Sequence, residues 1–515
     1  MRTLVLCTFL LATSCLVGIA GEQEAPNAAS ALGINLGGVT YWSSEIVFVD
    51  LFKHAQTFKS QAPGKGYGQG GPLELTEDGW VQSLRDDGHF ADSIVLSRPK
   101  LGYPGGVYTC LYEGRGKLQF AYGTQVVDER PGRILVKVEP TQNILTVRIS
   151  EANPSDPVRN IRMILPGFEE TYETQPFHPD FLQRWERFKV LRFMDFQRTN
   201  NSQQVHWSDR ATPAKQTQGS EAGVALEYLV ELANTLGADP WFCMPHQATD
   251  DYVRQFAEQV RATLKPELKI YIEYSNECWN GIFAQARYCR DQGKALGLSD
   301  NDFQAQLRYC SRRAVEIFAI WEEVFGGTDR LVRVLAAQSA NPWTSEQVLD
   351  FDKAYEHADA LGVAPYFGNA LGNPKTQSEV AAMTVDEVLD RCAVHIAQGN
   401  ETIARQAQLA SARGLHLVAY EAGQHLVGHG GAENNEPLME LFHAANRHPR
   451  MGALYHDYLA GWKANGGDLA AIFSSMGTYS KWGSWGLLEY HGQPVEEAPK
   501  YQAVLEFLDS NPAWW

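Results

Sequence analysis

Two glutamates stand at the ends of apolar, strand-like runs and are the residues of this sequence best suited to chemistry. Glu277 follows "YIEYSN", and Glu421 follows "LHLVAY" in the same arrangement of an apolar run, an aromatic residue and then an acid. An acidic side chain at the end of a buried strand is costly unless it is paired or functional. Two carboxyl groups that meet can act as a proton donor and as a base or nucleophile in one reaction. The sequence therefore predicts an acidic catalytic pair, provided that the two strand ends converge.

The elements that would bring these strand ends together form a repeated strand–helix pattern. From residue 185 onward, short apolar runs alternate with amphipathic helical stretches such as "DDYVRQFAEQVRATL". The apolar runs span 188–194, 239–244, 269–275, 331–337, 360–366, 415–420 and 468–474. Such alternation indicates a parallel sheet covered by helices. With an eighth strand upstream, "LGINLGG" at 32–38, followed by the helical-looking "SEIVFVDLFKHAQTF", the pattern predicts a (β/α)8 TIM barrel, whose active site lies at the C-terminal ends of the strands.

The segment between the first two predicted barrel strands has a different pattern. Runs such as "GKLQFAYGTQVV" and "NILTVRISE" alternate apolar and polar residues and are separated by Gly, Pro and Asn, which is typical of antiparallel strands in a sandwich. We therefore predict an α/β protein in which residues 31–58 and 166–515 form the catalytic barrel. An antiparallel β-sandwich domain, residues 59–165, is inserted between them. The alternative is an independent N-terminal β-domain that includes "LGINLGG".

The N-terminus has the pattern of a secretory signal peptide. Met1-Arg2 precedes an apolar run from Leu4 to Ala20, which ends in small residues and is followed by a polar stretch. We predict that residues 1–20 are removed and that the mature chain is secreted, periplasmic or held at the cell surface. The alternative is an N-terminal membrane anchor, with Cys15 as a lipid-attachment site. No later run is long and apolar enough to span a bilayer.

Charge and residue spacing argue against several classes of partner. The formal net charge is −17, from 44 basic and 61 acidic residues, and no Lys/Arg-rich tract suggests binding of nucleic acid. No Cys/His cluster has zinc-site spacing. His425 and His429 are four residues apart but lack the glutamate of a metalloprotease helix. We predict no metal and no cofactor, and the sequence leaves the oligomeric state open.

Six cysteines remain after removal of the predicted signal peptide. An even number in an exported chain permits disulfides. Cys289 and Cys310 stand in the similar phrases "ARYCRDQ" and "LRYCSRR" on either side of a polar loop. They are the predicted pair.

Other polar and aromatic residues follow the predicted strands and would converge at the same barrel mouth. They are Arg192, Asp195, His246, Asn276, Tyr366, Trp482 and Trp485. Asp195 would either bind substrate or form a salt bridge with Arg192 or Arg198, and His246 would be a substrate ligand or a structural imidazole. One of the two tryptophans would be a platform for a sugar ring, since aromatic faces stack on apolar C–H surfaces, or both would only pack.

The phrases "YSNECWN" and "VAYEAGQH" resemble the clan A glycoside hydrolases, which include cellulases and β-mannanases. The resemblance covers the barrel portion and implies a (β/α)8 retaining enzyme with Glu277 as acid/base and Glu421 as nucleophile. It also implies that Asn276 donates a hydrogen bond to the sugar 2-hydroxyl. Arg192, His246, Tyr366 and a tryptophan after strand eight match the supporting residues of the cellulase-like branch. That branch carries a histidine two positions before the tyrosine, where this chain has Ala364, so the family within the clan stays unassigned.

The resemblance implies a secreted retaining glycoside hydrolase that cleaves a β-linked polysaccharide or oligosaccharide by two-glutamate double displacement. Such enzymes hold their carboxyl groups about 5–5.5 Å apart. We expect Arg192 and Tyr366 to hold Glu421 anionic, and the charge of Glu421 to raise the pKa of Glu277. The alternatives are a non-catalytic glycan-binding or cell-surface protein on the same barrel, and a barrel enzyme of different chemistry.

Overall fold

The computed structural model of the 515-residue chain describes residues 25–85, 88–97, 103–121, 123–139 and 144–515. The predicted signal peptide, with Cys7 and Cys15, lies outside the described residues. In the part of the chain that is described, no helix is both long and apolar enough to cross a membrane.

The described strands and helices are numbered in chain order. The strands are β1 (Leu32–Asn35), β2 (Lys59–Gln61), β3 (Glu74–Leu75), β4 (Val81–Ser83), β5 (Phe90–Ser97), β6 (Gly106–Glu113), β7 (Gly116–Ala121), β8 (Thr124–Arg130), β9 (Arg133–Val138), β10 (Ile144–Ala152), β11 (Arg159–Ile164), β12 (Val190–Arg192), β13 (Asp239–Met244), β14 (Ile270–Tyr274), β15 (Leu331–Ala336), β16 (Ala360–Val363), β17 (His416–Ala422) and β18 (Ala470–Phe473). The α-helices are α1 (Pro179–Trp185), α2 (Leu226–Leu236), α3 (Asp250–Thr263), α4 (Ala284–Ala295), α5 (Asp302–Phe325), α6 (Pro342–Asp350), α7 (Gln377–Ala381), α8 (Val385–Ser411), α9 (Glu436–Arg447), α10 (Pro449–Ala464) and α11 (Pro499–Ser510).

Eight parallel strands close into a barrel in the order β1-β12-β13-β14-β15-β16-β17-β18. β1 lies between β12 and β18, and Gly33 pairs with Val190 on one side and with Ala471 on the other. "LGINLGG" therefore supplies a barrel strand, and the predicted (β/α)8 fold class is confirmed. Each of the seven later runs identified from the sequence overlaps one strand of this barrel.

Burial on both faces explains why the barrel strands read as continuous apolar runs. Every residue of β13 and β14 is buried. Inside the barrel, Trp241 of β13 stacks on Tyr271 of β14 with ring centroids 5.1 Å apart. The outer faces pack on the helices in the main hydrophobic core, where Phe242 contacts Phe256 of α3. A strand enclosed by two apolar layers has no polar face, which is the pattern expected of parallel sheets.

The chain between β1 and β12 forms antiparallel sheets with their own core. One sheet has the order β2-β5-β10-β7 and the other the order β11-β6-β9-β8, and a small hairpin pairs β3 with β4. Their core contains Val95, Tyr108, Val136 and Val147, all completely buried. The sheets thus form a β-rich unit inserted in the first strand–helix connection of the barrel.

The prediction of a helix directly after β1 is wrong. "SEIVFVDLFKHAQTF" contains only a single 3₁₀ turn, Leu51–His54, which begins at the capping side chain of Asp50. Phe48 and Asp50 instead form antiparallel bridges with Phe177 and Ile164, at the exit of the inserted unit. The β-branched Val47 and Val49 also form backbone hydrogen bonds with the returning chain, because here the chain leaves the barrel for the insertion and comes back.

The predicted disulfide is also wrong, since the thiols of Cys289 and Cys310 are both free. The two residues lie on the adjacent helices α4 and α5, so the sequence pattern did find neighbours. Their sulfur atoms meet a third one, that of Cys278, which follows Glu277. The prediction used the similarity of two sequence phrases, and Cys278 stands in neither of them.

Candidate active site

The two glutamates project from the C-terminal ends of the fourth and seventh barrel strands. Glu277 stands three residues beyond the end of β14, and Glu421 is the penultimate residue of β17. Ser275 and Glu277 have positive φ angles of 58° and 42°, so the chain turns sharply directly after β14. Non-glycine residues persist in this conformation only where the surrounding structure fixes them. The turn directs the Glu277 carboxyl group toward Tyr420, the residue before Glu421.

Glu277 is a carboxyl group that retains its proton near neutral pH. Burial, and then the negative charge of Glu421, raise the pKa of Glu277 to about 8. Asn280 Nδ2 donates to Oε2 at 2.9 Å, and the Tyr420 hydroxyl lies 3.4 Å from Oε1. These two donors oppose the rise without reversing it. A carboxyl group in this condition can donate a proton to a bound substrate.

Glu421 has the opposite environment. Arg192 Nη1 lies 3.1 Å from its Oε1, and the Tyr366 hydroxyl donates to Oε2 at 2.9 Å. A guanidinium and a phenol donor together stabilise the carboxylate form and fix its orientation. Glu421 is therefore held by two donors, near a carboxyl group whose pKa is raised.

Arg192 organises the floor of this site. It is completely buried, and its Nε and Nη2 donate to Glu273 Oε2 at 3.1 and 2.9 Å. Nη1 also donates to Asn35 Oδ1 at 2.9 Å, and Nη2 donates to Asn276 Oδ1 at 2.8 Å. The guanidinium thus contacts the ends of β1, β14 and β17 at once. Because four partners share its donors, they are all held in one rigid arrangement.

Asn276 is held on both sides of its amide. Its Oδ1 accepts from Arg192, its Nδ2 donates to Asn200 Oδ1 at 3.1 Å, and its backbone oxygen accepts from Gln285 Nε2 at 2.8 Å. This network orients the Nδ2 group, which has a second hydrogen for a ligand. The amide of Asn276 is therefore fixed in one orientation, with one hydrogen of Nδ2 outside these contacts.

Tyr420 joins the two halves of the site and was missed by the sequence reasoning. Its hydroxyl accepts from Trp279 Nε1 at 3.2 Å and faces Glu277 Oε1, while its ring lies 5.1 Å from the Arg192 guanidinium carbon. Trp279 thus forms a hydrogen bond with Tyr420. The sequence indicated it only by an aromatic residue directly before Glu421, and aromatic residues are common in strands.

Asp195, directly beyond β12, has a carboxylate without a partner among the described residues. The structure shows no salt bridge from Asp195 to Arg192 or to Arg198 in this part of the chain, and the donors of Arg192 are engaged elsewhere. Burial, and then the charge of Glu421, raise the pKa of Asp195 to about 6. The charges of Arg198 and Arg192 oppose this rise, and the role of Asp195 stays a prediction.

The aromatic loop after β18 contains one packed and one exposed tryptophan. Trp485 packs edge-on against Phe473 and His425 and tilted against Tyr366, with ring centroids 5.6, 4.9 and 5.7 Å apart. Trp482 is 66% exposed, and its backbone oxygen accepts from Trp485 Nε1 at 2.8 Å. Trp485 therefore stands beside the tyrosine that contacts Glu421, whereas Trp482 faces solvent.

His246, beyond β13, lies apart from this network. Its ring packs on Tyr288 with centroids 5.3 Å apart, and its backbone oxygen accepts from the Tyr274 hydroxyl at 2.9 Å. Burial lowers the pKa of His246, which favours the neutral imidazole. Its described contacts are with these tyrosines and with neither glutamate, so a structural role explains them.

Two groups of side chains have the proximity that a metal site requires. Cys278, Cys289 and Cys310 form one, and His178, Asp180 and His491 form the other. In each group the potential ligand atoms all lie within 4.8 Å of one another. Neither group was visible as spacing in the sequence, because His491 is distant along the chain from His178 and Asp180, and the three cysteines lie in the loop after β14, on α4 and on α5.

No protein-family model and no curated protein matches the chain. Solved structures with a similar fold include a 4-O-α-L-rhamnosyl-β-D-glucuronidase from Fusarium oxysporum 12S (11% identity, 64% of this chain and 63% of that one, TM-score 0.40). Others are an exo-β-1,4-mannosidase from an Opitutaceae bacterium (13% identity, 65% and 55%, TM-score 0.36) and an endo-β-1,4-mannanase from Thermotoga petrophila (12% identity, 65% and 72%, TM-score 0.36). The chain thus spans less than two thirds of the first two.

Proposed function

We propose that this protein is a retaining glycoside hydrolase of clan A that cleaves β-linked glycans with Glu277 and Glu421. The observation that carries the proposal is the opposed condition of the two carboxyl groups. One retains its proton because it is buried beside a negative charge, and the other is held as an anion by Arg192 and Tyr366. A carboxyl group that keeps its proton can serve as the acid, and a second carboxyl group oriented by two donors can serve as the nucleophile.

The proposed reaction has two steps that balance in protons and bonds. Glu421 attacks the anomeric carbon while Glu277 gives its proton to the departing glycosidic oxygen, so that a glycosyl–Glu421 ester forms and the aglycone leaves. The ester has no negative charge, so the pKa of Glu277 falls and its carboxylate becomes a base. Glu277 then removes a proton from water, which attacks the anomeric carbon from the opposite face and releases Glu421.

The surrounding residues suit the binding of a neutral sugar ring. Asn276 offers the free hydrogen of Nδ2, which we assign to the sugar 2-hydroxyl. Asp195 offers an unpartnered carboxylate, which we assign to hydroxyl groups of the same ring. Trp485 offers an aromatic surface beside Tyr366, and aromatic rings stack on the C–H faces of sugars. Trp482, which is exposed, would bind a more distant sugar unit.

The test uses two variants with opposite expected products. Glu277→Ala should still form the glycosyl-enzyme from an activated aryl β-glycoside, because a good leaving group needs little protonation, but it should stall before hydrolysis. Azide should restore turnover and give the β-glycosyl azide. Glu421→Ala should be inactive and, with azide, should give the α-glycosyl azide by a single inversion. Product configuration is read by proton NMR.

Two results would contradict the proposal. If both variants keep the wild-type rate, the two glutamates are not the catalytic pair. If the wild-type protein binds β-glycans but cleaves none in a panel with reducing-end detection, the protein is a glycan-binding protein on a glycosidase-like barrel. A matched control is Glu436→Ala, an exposed glutamate in the first turn of α9, which should leave the rate unchanged.

We also propose that the mature chain acts outside the cytoplasm. The signal-like sequence at residues 1–20 supports this proposal. Expression of the full gene in a host with a secretory pathway, followed by N-terminal sequencing of the exported protein, tests it. A protein that retains Met1 and stays inside the cell would contradict it.

A further inference from the structure

Three cysteines from separate elements converge directly behind the acid/base loop. Cys278 follows Glu277, Cys289 lies on α4 and Cys310 lies on α5. All three are buried, and their sulfur atoms lie within 4.8 Å of one another. We call these three residues the thiol cluster. It is independent of the proposed hydrolase chemistry, since no step described above uses a thiol.

The spacing of the thiol cluster fits three sulfur ligands around a single ion. A metal–thiolate bond is about 2.3 Å long, so three sulfurs in a plane around one ion are about 4.0 Å apart. The cluster reaches this arrangement with shifts of less than an ångström. A disulfide needs two sulfurs at about 2.05 Å, which requires a larger movement and leaves the third thiol over.

The surroundings of the thiol cluster select the kind of ion. Its nearest polar neighbours are the Tyr274 hydroxyl, 3.7 Å from the Cys289 sulfur, and the backbone oxygens of Tyr274 and Cys278, which accept from the Cys278 and Cys310 thiols at 3.6 and 3.9 Å. No carboxylate or imidazole belongs to the cluster as the structure describes it. A set of sulfur donors alone selects soft ions such as Cu(I), whereas structural zinc sites use four ligands.

We propose that the thiol cluster is a binding site for a soft, thiophilic ion with three sulfur ligands, of which Cu(I) is the representative. Copper–sulfur bonds form to thiolates, so any proton still on the three sulfurs is released as one Cu(I) is coordinated, and the occupied site has a net charge of −2.

The site is linked to the acid/base residue by the chain itself. Gln306 Nε2 of α5 donates to the Cys278 backbone oxygen at 2.7 Å, so the loop after β14 is already held against the helix that carries Cys310. An ion bound to all three sulfurs would fix this loop further.

The test titrates the reduced full-length protein with Cu(I), without oxygen, against a chromogenic Cu(I) chelator of known affinity. We expect one Cu(I) per chain, an ultraviolet thiolate-to-copper charge-transfer band, and three copper–sulfur distances by X-ray absorption. The single variants Cys278→Ser, Cys289→Ser and Cys310→Ser should each lose at least about 100-fold in affinity, since even partners outside the ligand set change metal affinity about 10–100-fold. Cys392→Ser, at a buried cysteine of α8, is the matched control and should bind like wild type.

Several outcomes would overturn the proposal. One is failure of the wild-type protein to compete with the chelator, and another is full binding by the three cluster variants. A third is tighter binding of Zn(II) than of Cu(I), and a fourth is a disulfide among these cysteines, found by peptide mapping of protein prepared without reductant. If a serine variant does not fold, as judged by circular dichroism, the number of sulfur ligands in the wild-type absorption spectrum decides alone.

Discussion

Removing the charge of Glu421 should lower the pKa of Glu277 while leaving it above that of a free glutamate. In the wild-type protein that pKa is raised from 4.5 to about 8, first by burial and then by the charge of Glu421. Glu421→Gln keeps the size of the side chain and removes the charge. Burial remains, so only part of the shift should disappear.

The size of the change follows from the charge separation that a retaining pair requires. Two unit charges about 5.5 Å apart interact by about 3 kcal/mol at an effective dielectric constant of about 20, which corresponds to about 2 pKa units. The pKa of Glu277 should therefore fall from about 8 to about 6 in the variant. The remainder of the elevation is the cost of ionising a buried carboxyl group.

Two measurements report on this shift. In the wild-type protein kcat/KM for an oligosaccharide should fall as pH rises through about 8, because Glu277 then loses the proton that it must donate. In the inactive Glu421→Gln variant the ionisation of Glu277 is followed by carbon NMR of labelled glutamate carboxyls, with the resonance assigned by its loss in Glu277→Gln. Glu436→Gln removes a charge at an exposed site and serves as the control.

An unchanged pKa in Glu421→Gln would refute the idea that the two carboxyl groups face each other. A wild-type value near 4.5 would refute the idea that burial protects the proton. A fall to about 4.5 in the variant would mean that charge alone accounts for the shift, contrary to the burial of Glu277.

Three further predictions concern the residues around the pair. Arg192→Met should lower the free energy of unfolding by about 3–5 kcal/mol in urea, because it leaves the buried carboxylate of Glu273 without its cation. Asp195→Asn should lower kcat/KM at least about tenfold, because it removes a charged hydrogen-bond partner of the substrate. The same substitution should raise the free energy of unfolding above pH 6. The folded-state pKa of Asp195 is above its unfolded value, so wild-type stability falls as pH rises to about 6, and asparagine does not titrate. Trp482→Ala should raise KM for long oligosaccharides without changing Tm, whereas Trp485→Ala, at a packed ring, should lower Tm as well.

Each of these predictions has a control. Arg450→Met removes an arginine from exposed ion pairs with Asp386 and Asp390, and it should change stability little. Asp195→Asn should match wild-type stability at pH 3, where the wild-type carboxyl is protonated in both states, and a variant that is less stable at every pH would contradict the assignment. If Trp482→Ala affects short and long substrates equally, Trp482 binds no distant sugar unit.

The sequence allowed the barrel to be predicted because its strands are buried on both sides. The (β/α)8 fold follows from that periodicity, and so does the position of Glu277 and Glu421 at strand ends on one mouth. What could not be predicted depends on partners that are distant along the chain. Asn35 reads as a strand residue, and only the fold shows that it accepts from Arg192, 157 positions later.

Local pattern also failed where tertiary pairing overrides propensity. The residues around Phe48 have a helical pattern, but their backbone pairs with the segment that returns from the insertion. Asp195 and Arg198 have opposite charges and stand three residues apart, yet they form no ion pair among the described contacts. The separation of two residues along the sequence does not show whether they pair with each other or with a distant segment.

The insertion between β1 and β12 also bears on the order in which the molecule folds. β1 must find β12 across more than 150 residues, and open-chain closure over such a distance is entropically unfavourable and slow. If the inserted sheets fold first, most of this entropic cost of closure is removed. The bridges of Phe48 to Phe177 and of Asp50 to Ile164 then bring the two ends of the insertion together. The inserted unit would then act as a folding nucleus that delivers the first barrel strand to the second. Destabilising its core, for example at Val147, should slow refolding of the barrel even though no barrel contact is changed.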